Sequence, residues 1–592
     1  MEYLYILSNI FLIVTAILVK KKDDKINFLS TFIIIITLYL CYNSVTAYLL
    51  NTINIPINLV SMFIVNMAIS ILIWIIQWIK IKKIEVQKYY IKKKDIVVWI
   101  MLLIINVPIL YKEFGLFDNF RFISTDATMH AIAAMRFSES HELLSQVDGI
   151  QAINPTFLIG GYVNLGMLFQ TFSPIIGEFQ IYRLYIIFDV SIYLLTGLLF
   201  YHLLEKYVNK SKSKEIIAII LTLIYMLGYP LNSLITGFHY FAIGILQLLA
   251  IVYVLREYGK TRTIPAIFLL NSGLLLTYNL FAPMIYIVEL IAILIHHKKE
   301  EGKLISKKVI KNVIIGMGIP GIIGISFFII PRIVQDIELG SSQNLNVDGY
   351  IYINYITNLL IFIPFAVYAT YRQVGKKAYT VEMIAFWTMA LYTVMFELGN
   401  SLDIISTYYY MKNYYVLMPF TLLMFYQGAC ILIEKGKIGK TITLALIGGY
   451  VVCIFCNLIF TKVDPYNFTR NPDSSIVDIY NSNKSIMEYI QELFPKERLD
   501  ALEYLYENNC IDGQNVLLIS NHIDEHLLQF FFNYQNRKNL ELKNIEEEIG
   551  EWNNKNYEYL IVFNKDYYLE RYQEIEPGET VFENEYSVIY KW

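Results

Sequence analysis

The polar stretch Asp118 to Asn154 holds Asp118, Arg121, Asp126, His130, Arg136, Glu139, His141, Glu142 and Asp148 between long apolar runs. Ionisable groups kept beside a bilayer are costly unless they are used. Within it, Ser124-Thr125-Asp126-Ala127-Thr128-Met129-His130 reads as a helix start, with Ser124 or Thr125 as cap. On such a helix Asp126 and His130 lie four apart and share a face, and Ala127, Ala131 and Ala134 leave room beside them. A carboxylate with a histidine one turn on suits a general base. It would take the proton from an acceptor hydroxyl as that oxygen attacks a sugar, while cations steady a departing phosphate. Competing readings are a helix cap for Asp126 and a packed, hydrogen-bonded ring for His130. A metal held by this pair is the weaker reading, since two ligands at one spacing define little, so no cofactor and no metal are expected.

These residues sit in a membrane chain. Of the 592 residues 56% are hydrophobic and 17% charged, and the mean hydropathy is +0.46, more apolar surface than a soluble domain can bury. The net charge of -3 argues against nucleic acid as a partner. Apolar runs near 2–19, 29–51, 57–79, 95–111, 182–204, 216–232, 238–255, 263–278, 280–296, 312–331, 353–371, 380–397, 413–433 and 441–461 predict about 13–14 transmembrane helices. Because 156–177 carries Pro155 before it and Gly160, Gly161, Gly166, Pro174 and Gly177 after, it predicts a re-entrant or interfacial element. Of the five cysteines, Cys453 and Cys456 form a C-x-x-C inside an apolar run, read as small packing residues.

Lysine and arginine cluster after alternate runs: Lys20 to Lys25, Lys80 to Lys94, Lys206 to Lys214, Arg256 to Arg262, Lys298 to Lys311, Arg372 to Lys377 and Lys435 to Lys440. The positive-inside rule makes these loops cytoplasmic. Segment 112–181 and the tail after 461 then fall outside, which divides the chain into 1–111, 112–181, 182–461 and 462–592. The tail reads as a small α/β domain, with strands at 516–520, 559–563 and 586–590 and helices at 499–507 and 524–532. An enzyme facing outward has no nucleotide sugars, so its donor must already be flipped, as a polyprenyl-linked sugar is.

Further candidates share that outer face. Lys412, in Tyr408-Tyr409-Tyr410-Met411-Lys412-Asn413-Tyr414, is a cation where the positive-inside rule disfavours one, and could meet the donor phosphate. A lysine snorkelling among belt tyrosines is the alternative. His239 and Arg332 also face outward, and Arg136 and Tyr414 join them as phosphate candidates. Asp189 and Glu289 lie inside predicted spans and invite a functional reading of their own.

Taken together, the acidic residue and histidine of the first large outer loop (Asp126, His130), the later basic residue, tyrosine and proline (Lys412, Tyr414, Pro419), and the terminal soluble domain resemble the GT-C superfamily of membrane glycosyltransferases. The resemblance implies Asp126 as base, phosphate contact by Lys412, a polyprenyl-phosphate sugar donor, a glycan or lipid-linked acceptor, inverting transfer and a bacterial cell membrane. The chain departs from the family in three ways. The loop follows the fourth span instead of the first, the loop has no D-x-D pair, and a lysine stands where arginine is common. Alternatives are a polymerase or ligase of polyprenyl-diphosphate glycans, and a lipid or solute transporter in which Glu289 and Asp189 would matter most.

Overall fold

The computed structural model describes residues 1–19, 25–81, 85–122, 125–143, 159–208, 211–258, 263–326, 330, 356–460, 476–508, 516–519, 527, 530–531, 558–571 and 578–592. Among these, ten helices are long and apolar enough to cross a membrane, and Glu2–Leu18 and Thr263–Thr277 are shorter apolar helices. The chain is a multi-pass helical membrane protein with a small C-terminal α/β unit. The expected apolar runs are mostly helical where they are described, and 353–371 is split by a turn between Ile356–Leu359 and Ile363–Gly375.

The helices that position the site are α1 (Glu2–Leu18), α2 (Phe28–Thr52), α3 (Leu59–Ile81), α4 (Lys93–Phe114), α5 (Thr125–Ser140), α6 (Ile159–Ile176), α7 (Ile181–Glu205), α8 (Lys212–Leu227), α9 (Tyr229–Ile235), α10 (His239–Arg256), α11 (Thr263–Thr277) and α12 (Ala282–Glu301). The helix Thr407–Glu434 is the central one, buried from Met411 through Cys430. Peripheral helices do the reverse. Ile64, Ile71, Trp78 and Ile79 on α3 and Val97, Ile104 and Val107 on α4 are exposed, as side chains that face lipid tails should be.

Two elements at the lysine-poor end, α5 and α6, are not among the ten candidate spans. They pack side by side and run in the same direction, with Ala134 against Gly166 and Ser138 near Gln170. Gly166 of α6 makes this possible, because a Cβ there would fall 2.4 Å from Phe137 Cδ1 and 2.6 Å from the Ala134 carbonyl oxygen. Ala127, Ala131 and Ala134 are fully buried along the contact. Polar groups fix the depth of α6. Asn43 Nδ2 donates to Asn164 Oδ1 at 3.1 Å, and Asn164 Nδ2 donates to the Leu40 carbonyl at 3.1 Å. Such amide bonds between helices hold register where hydrophobicity cannot.

The C-terminal unit has a four-stranded sheet of order β3-β4-β6-β5, from β3 (Val516–Ile519), β4 (Tyr559–Phe563), β5 (Glu579–Glu583) and β6 (Ser587–Lys591). β3 and β4 are parallel, and β6 is antiparallel to both its neighbours. β5 and the helix Asp478–Leu493 are additions to the sequence-based expectation, as is a two-stranded parallel sheet of β1 (Lys25–Asn27) and β2 (Lys88–Tyr90) between lysine-rich loops. Of the helix expected at 524–532, only Leu527, Phe530 and Phe531 fall among the described residues.

This tail docks on the lysine-poor end. Asn483 Nδ2 donates to the Leu227 and Gly228 carbonyls at 2.8 Å each, and Asn232 Nδ2 donates to Asn483 Oδ1 at 2.7 Å. Asn232 Oδ1 in turn accepts from the Tyr415 hydroxyl. Arg121 Nε donates to the Phe494 carbonyl at 2.8 Å, the buried Arg498 donates to the Phe120 carbonyl, and Lys496 pairs with Asp118 at 3.3 Å. The segment leading into α5 is therefore clamped between tail and bundle.

Candidate functional site

Helix α5 begins at Thr125, which places Asp126 inside its first turn, where a carboxylate complements the helix dipole, and not at the cap position. His130 follows one turn later and is 2% exposed. Its ring meets Tyr240 edge-on at 4.5 Å between centroids and lies 6.3 Å from His239. The N-terminal end of α5 is brought against the α9–α10 connection by Gly237. This residue has φ +71°, and a Cβ on it would lie 2.5 Å from Ala127 Cβ. Only glycine satisfies both demands.

Lys412 arrives from the Thr407–Glu434 helix, almost three hundred positions downstream. It is 1% exposed. Its ammonium donates to the Tyr408 hydroxyl and lies 3.9 Å from that ring's centroid. Phe238, Tyr240, Phe241, Tyr278 and Tyr409 complete the enclosure at 4.7 to 5.9 Å. Asp126 lies within electrostatic reach of this cation. Aromatic faces hold a desolvated ammonium in place, and the arrangement keeps the Lys412 side chain fixed inside the protein, unlike a lysine that snorkels to water.

Asp126 keeps part of its side chain open while lying deep in the protein. Burial raises its carboxyl above the usual carboxylate range, and the Lys412 charge opposes the rise. Burial also holds the His130 imidazole well below its usual range, with His239 and Lys412 adding to the effect. His130 is thus a neutral ring at neutral pH. A carboxylate of raised basicity is the better proton acceptor.

The other expected residues separate into groups. His239 joins the cluster, but both its nitrogens are committed. Nδ1 bonds the buried Asp189 carboxylate and Nε2 donates to the Gly161 carbonyl at 3.2 Å. This gives Asp189, an intramembrane carboxylate in the sequence, a partner. Arg136 lies ten residues past Asp126, about 15 Å along the helix, where its charged neighbour is Glu139. Tyr414 points to another side of its helix and shares a hydrogen bond of 2.6 Å with the Tyr410 hydroxyl, which donates to Glu397. Arg332, with Asp336, Glu338, Asp348 and the cap candidate Ser124, lies outside the described residues. Glu289 is fully buried and accepts from Asn271 Nδ2 at 2.8 Å. The aromatic enclosure of Lys412 was missed in the sequence reading. Its signal was the tyrosine run 408–410, taken there for a membrane belt.

Among the described residues, one group has metal-ligand spacing, at the opposite, lysine-rich end. The ligand atoms of Asp95, His202 and Glu205 lie within 4.8 Å of one another. Trp99 Nε1 donates to His202 Nε2 at 3.2 Å, and His202 Nδ1 bonds Glu205 Oε2 at 3.3 Å. The ring therefore has no lone pair left for an ion.

No family model matches the chain, and no curated protein matches it. Among solved structures, ArnT from Cupriavidus metallidurans, crystallised bound to undecaprenyl phosphate, is similar. The TM-score is 0.45 and the identity 11%, over 83% of this chain and 97% of that one.

Proposed function

We propose that this protein is a membrane glycosyltransferase of the GT-C kind, moving a sugar from a polyprenyl-phosphate donor to an envelope glycan or lipid-linked acceptor outside the cell. The observation that supports this most is Lys412, held in an aromatic enclosure within electrostatic reach of Asp126. A cation from the Thr407–Glu434 helix thus comes near the carboxylate in the first turn of α5.

In the reaction, the acceptor oxygen forms a bond to the anomeric carbon as the carbon–oxygen bond to phosphate breaks. The acceptor proton passes to Asp126, and the bonding pair leaves with the lipid phosphate. Lys412 faces the charge that develops on that phosphate, as a preorganised electrostatic partner. His130, neutral and on the same helix face, holds the acceptor hydroxyl. Direct displacement by the acceptor inverts the anomeric centre. His239, locked between Asp189 of α7 and Gly161 of α6, acts here by holding the start of α10 against those two helices and not as a phosphate ligand.

The test is envelope glycan analysis of cells carrying Asp126→Asn, with protein levels matched to wild type. Loss of one sugar substituent with accumulation of its polyprenyl-phosphate donor is expected. An unchanged glycan would remove Asp126 from the mechanism.

A further inference from the structure

The C-terminal ends of α5 and α6, away from Asp126, carry a second polar feature. A cavity of about 310 Å³ opens there, lined by Asn58, Ser138, His141, Phe169, Gln170 and Ser173. The volume falls at the lower end of the ~300–1,000 Å³ typical of small-ligand sites. No Asp, Glu, Lys or Arg lines it among the described residues, so it offers nothing to a phosphate or a lipid headgroup charge.

What it offers is unspent hydrogen-bonding capacity. Gln170 Nε2 donates to the Ile57 carbonyl at 3.2 Å, which orients the amide, and its Oε1 is buried without a partner. His141 Nδ1 is buried without a partner as well. Ser138 Oγ donates to the Met135 carbonyl at 2.6 Å, so its lone pairs remain for a ligand donor. Unpaired buried polar atoms are costly in a folded protein and call for an explanation.

The backbone adds an independent sign. His141 has φ +60°, in the left-handed region that a residue with a Cβ rarely takes. Its amide donates to the Phe137 carbonyl at 3.1 Å, and its carbonyl accepts from the Ile57 amide at 2.6 Å. Strain of this kind persists where the surroundings over-determine it, and it concentrates at binding sites.

We propose that this cavity is a carbohydrate subsite that holds a neutral part of the acceptor glycan. The proposal rests on the glycosyltransferase reading and extends it. Uncharged amide, hydroxyl and imidazole groups supply the mixture of donors and acceptors that sugar hydroxyls require. Ser138 lies about 18 Å along α5 from Asp126. That span exceeds one sugar ring, so the cavity takes a distal unit of an oligosaccharide whose terminal hydroxyl reaches Asp126.

The test uses the full-length protein in lipid nanodiscs on an array of neutral and acidic oligosaccharides, with Ser138→Trp, Gln170→Leu and Asp126→Asn beside wild type. Wild type and Asp126→Asn are expected to retain the same neutral oligosaccharides. Gln170→Leu should bind them about tenfold more weakly, the effect of one buried hydrogen bond. Ser138→Trp should lose them and raise the acceptor KM in a transfer assay while leaving kcat unchanged. The subsite is overturned if wild type retains no neutral oligosaccharide, retains acidic ones alone, or is matched by both cavity variants. Transfer by Asp126→Asn at the wild-type rate would remove Asp126 as the base, and no transfer by wild type would sink the transferase reading, each leaving the array result standing by itself.

Discussion

Asp126 and Lys412 are expected to behave as one unit, and a double-mutant cycle measures it. Lys412 is buried, Asp126 is partly so, and the two lie within electrostatic reach of each other. Taking away one partner of a buried pair leaves an uncompensated charge, so Asp126→Asn and Lys412→Met should each destabilise by about 3 kcal/mol. Independent sites would give a double variant weaker by about 6 kcal/mol. The enclosure predicts otherwise. With both ions gone their desolvation is no longer incurred, which returns about 1–4 kcal/mol, against about 2 kcal/mol of lost ring attraction at Lys412. Methionine packs well against aromatic faces. The double variant should therefore sit within about 1 kcal/mol of wild type, a coupling of about 5 kcal/mol. Reversible unfolding of the full chain in mixed micelles titrated with denaturing detergent reads these differences. All three variants should be inactive. Additive losses, or two silent single variants, would refute the pairing.

Gly237→Ala should place a Cβ 2.5 Å from Ala127 Cβ at a positive φ and shift α5, lowering the transfer rate about 100-fold, as small misplacements of reacting groups do; adding Ala127→Gly should restore part of it. Asn483→Ala removes three hydrogen bonds of 2.7 to 2.8 Å that dock the tail, about 3 kcal/mol in total, and a melting curve in nanodiscs should shift down accordingly. Glu139 is an exposed residue near the end of α5, and partial burial of its carboxyl raises it from 4.5 to about 7, opposed by Arg136 and helped by Glu178. A raised carboxyl favours the protonated folded state, so wild type should lose stability as pH rises from 4.5 to about 7. Glu139→Gln should match wild type below that window, melt higher above it, and show a flatter profile between. Equal profiles would mean that Glu139 is solvated.

The helical membrane architecture was legible because long apolar runs and lysine-rich loops carry their meaning locally. So were Asp126, His130, His239 and Lys412, each an ionisable residue in an apolar context. Their grouping was not, because it depends on the packing of α5, α10 and the Thr407–Glu434 helix, far apart in sequence. Arg136 shared the loop with Asp126 but not its end of the helix, a matter of ten residues of helical rise. Tyr414 is two residues from Lys412, a spacing that turns it to a different face. Gly160, Gly161, Gly166 and Pro174 mark 156–177 as a re-entrant or interfacial element, and its described part is the regular helix α6 from Ile159 to Ile176. There glycine serves close approach to a neighbour, which sequence alone does not separate from chain breaking. Helix Asp478–Leu493 was hidden by its polar composition, since it packs on the end of a bundle and not inside one. Asn483 shows the same limit, because a formal glycosylation sequon holds an asparagine that is 2% exposed.

The most direct measurement is sugar transfer by purified protein in nanodiscs, from a radiolabelled polyprenyl-phosphate sugar pool extracted from the native membrane, with wild type beside Asp126→Asn. Wild type should move label to acceptor and release polyprenyl phosphate in equal amounts, and Asp126→Asn should do neither while still binding the donor. Label transferred at the wild-type rate by Asp126→Asn, or donor left intact by both, would contradict a transferase with Asp126 as its base.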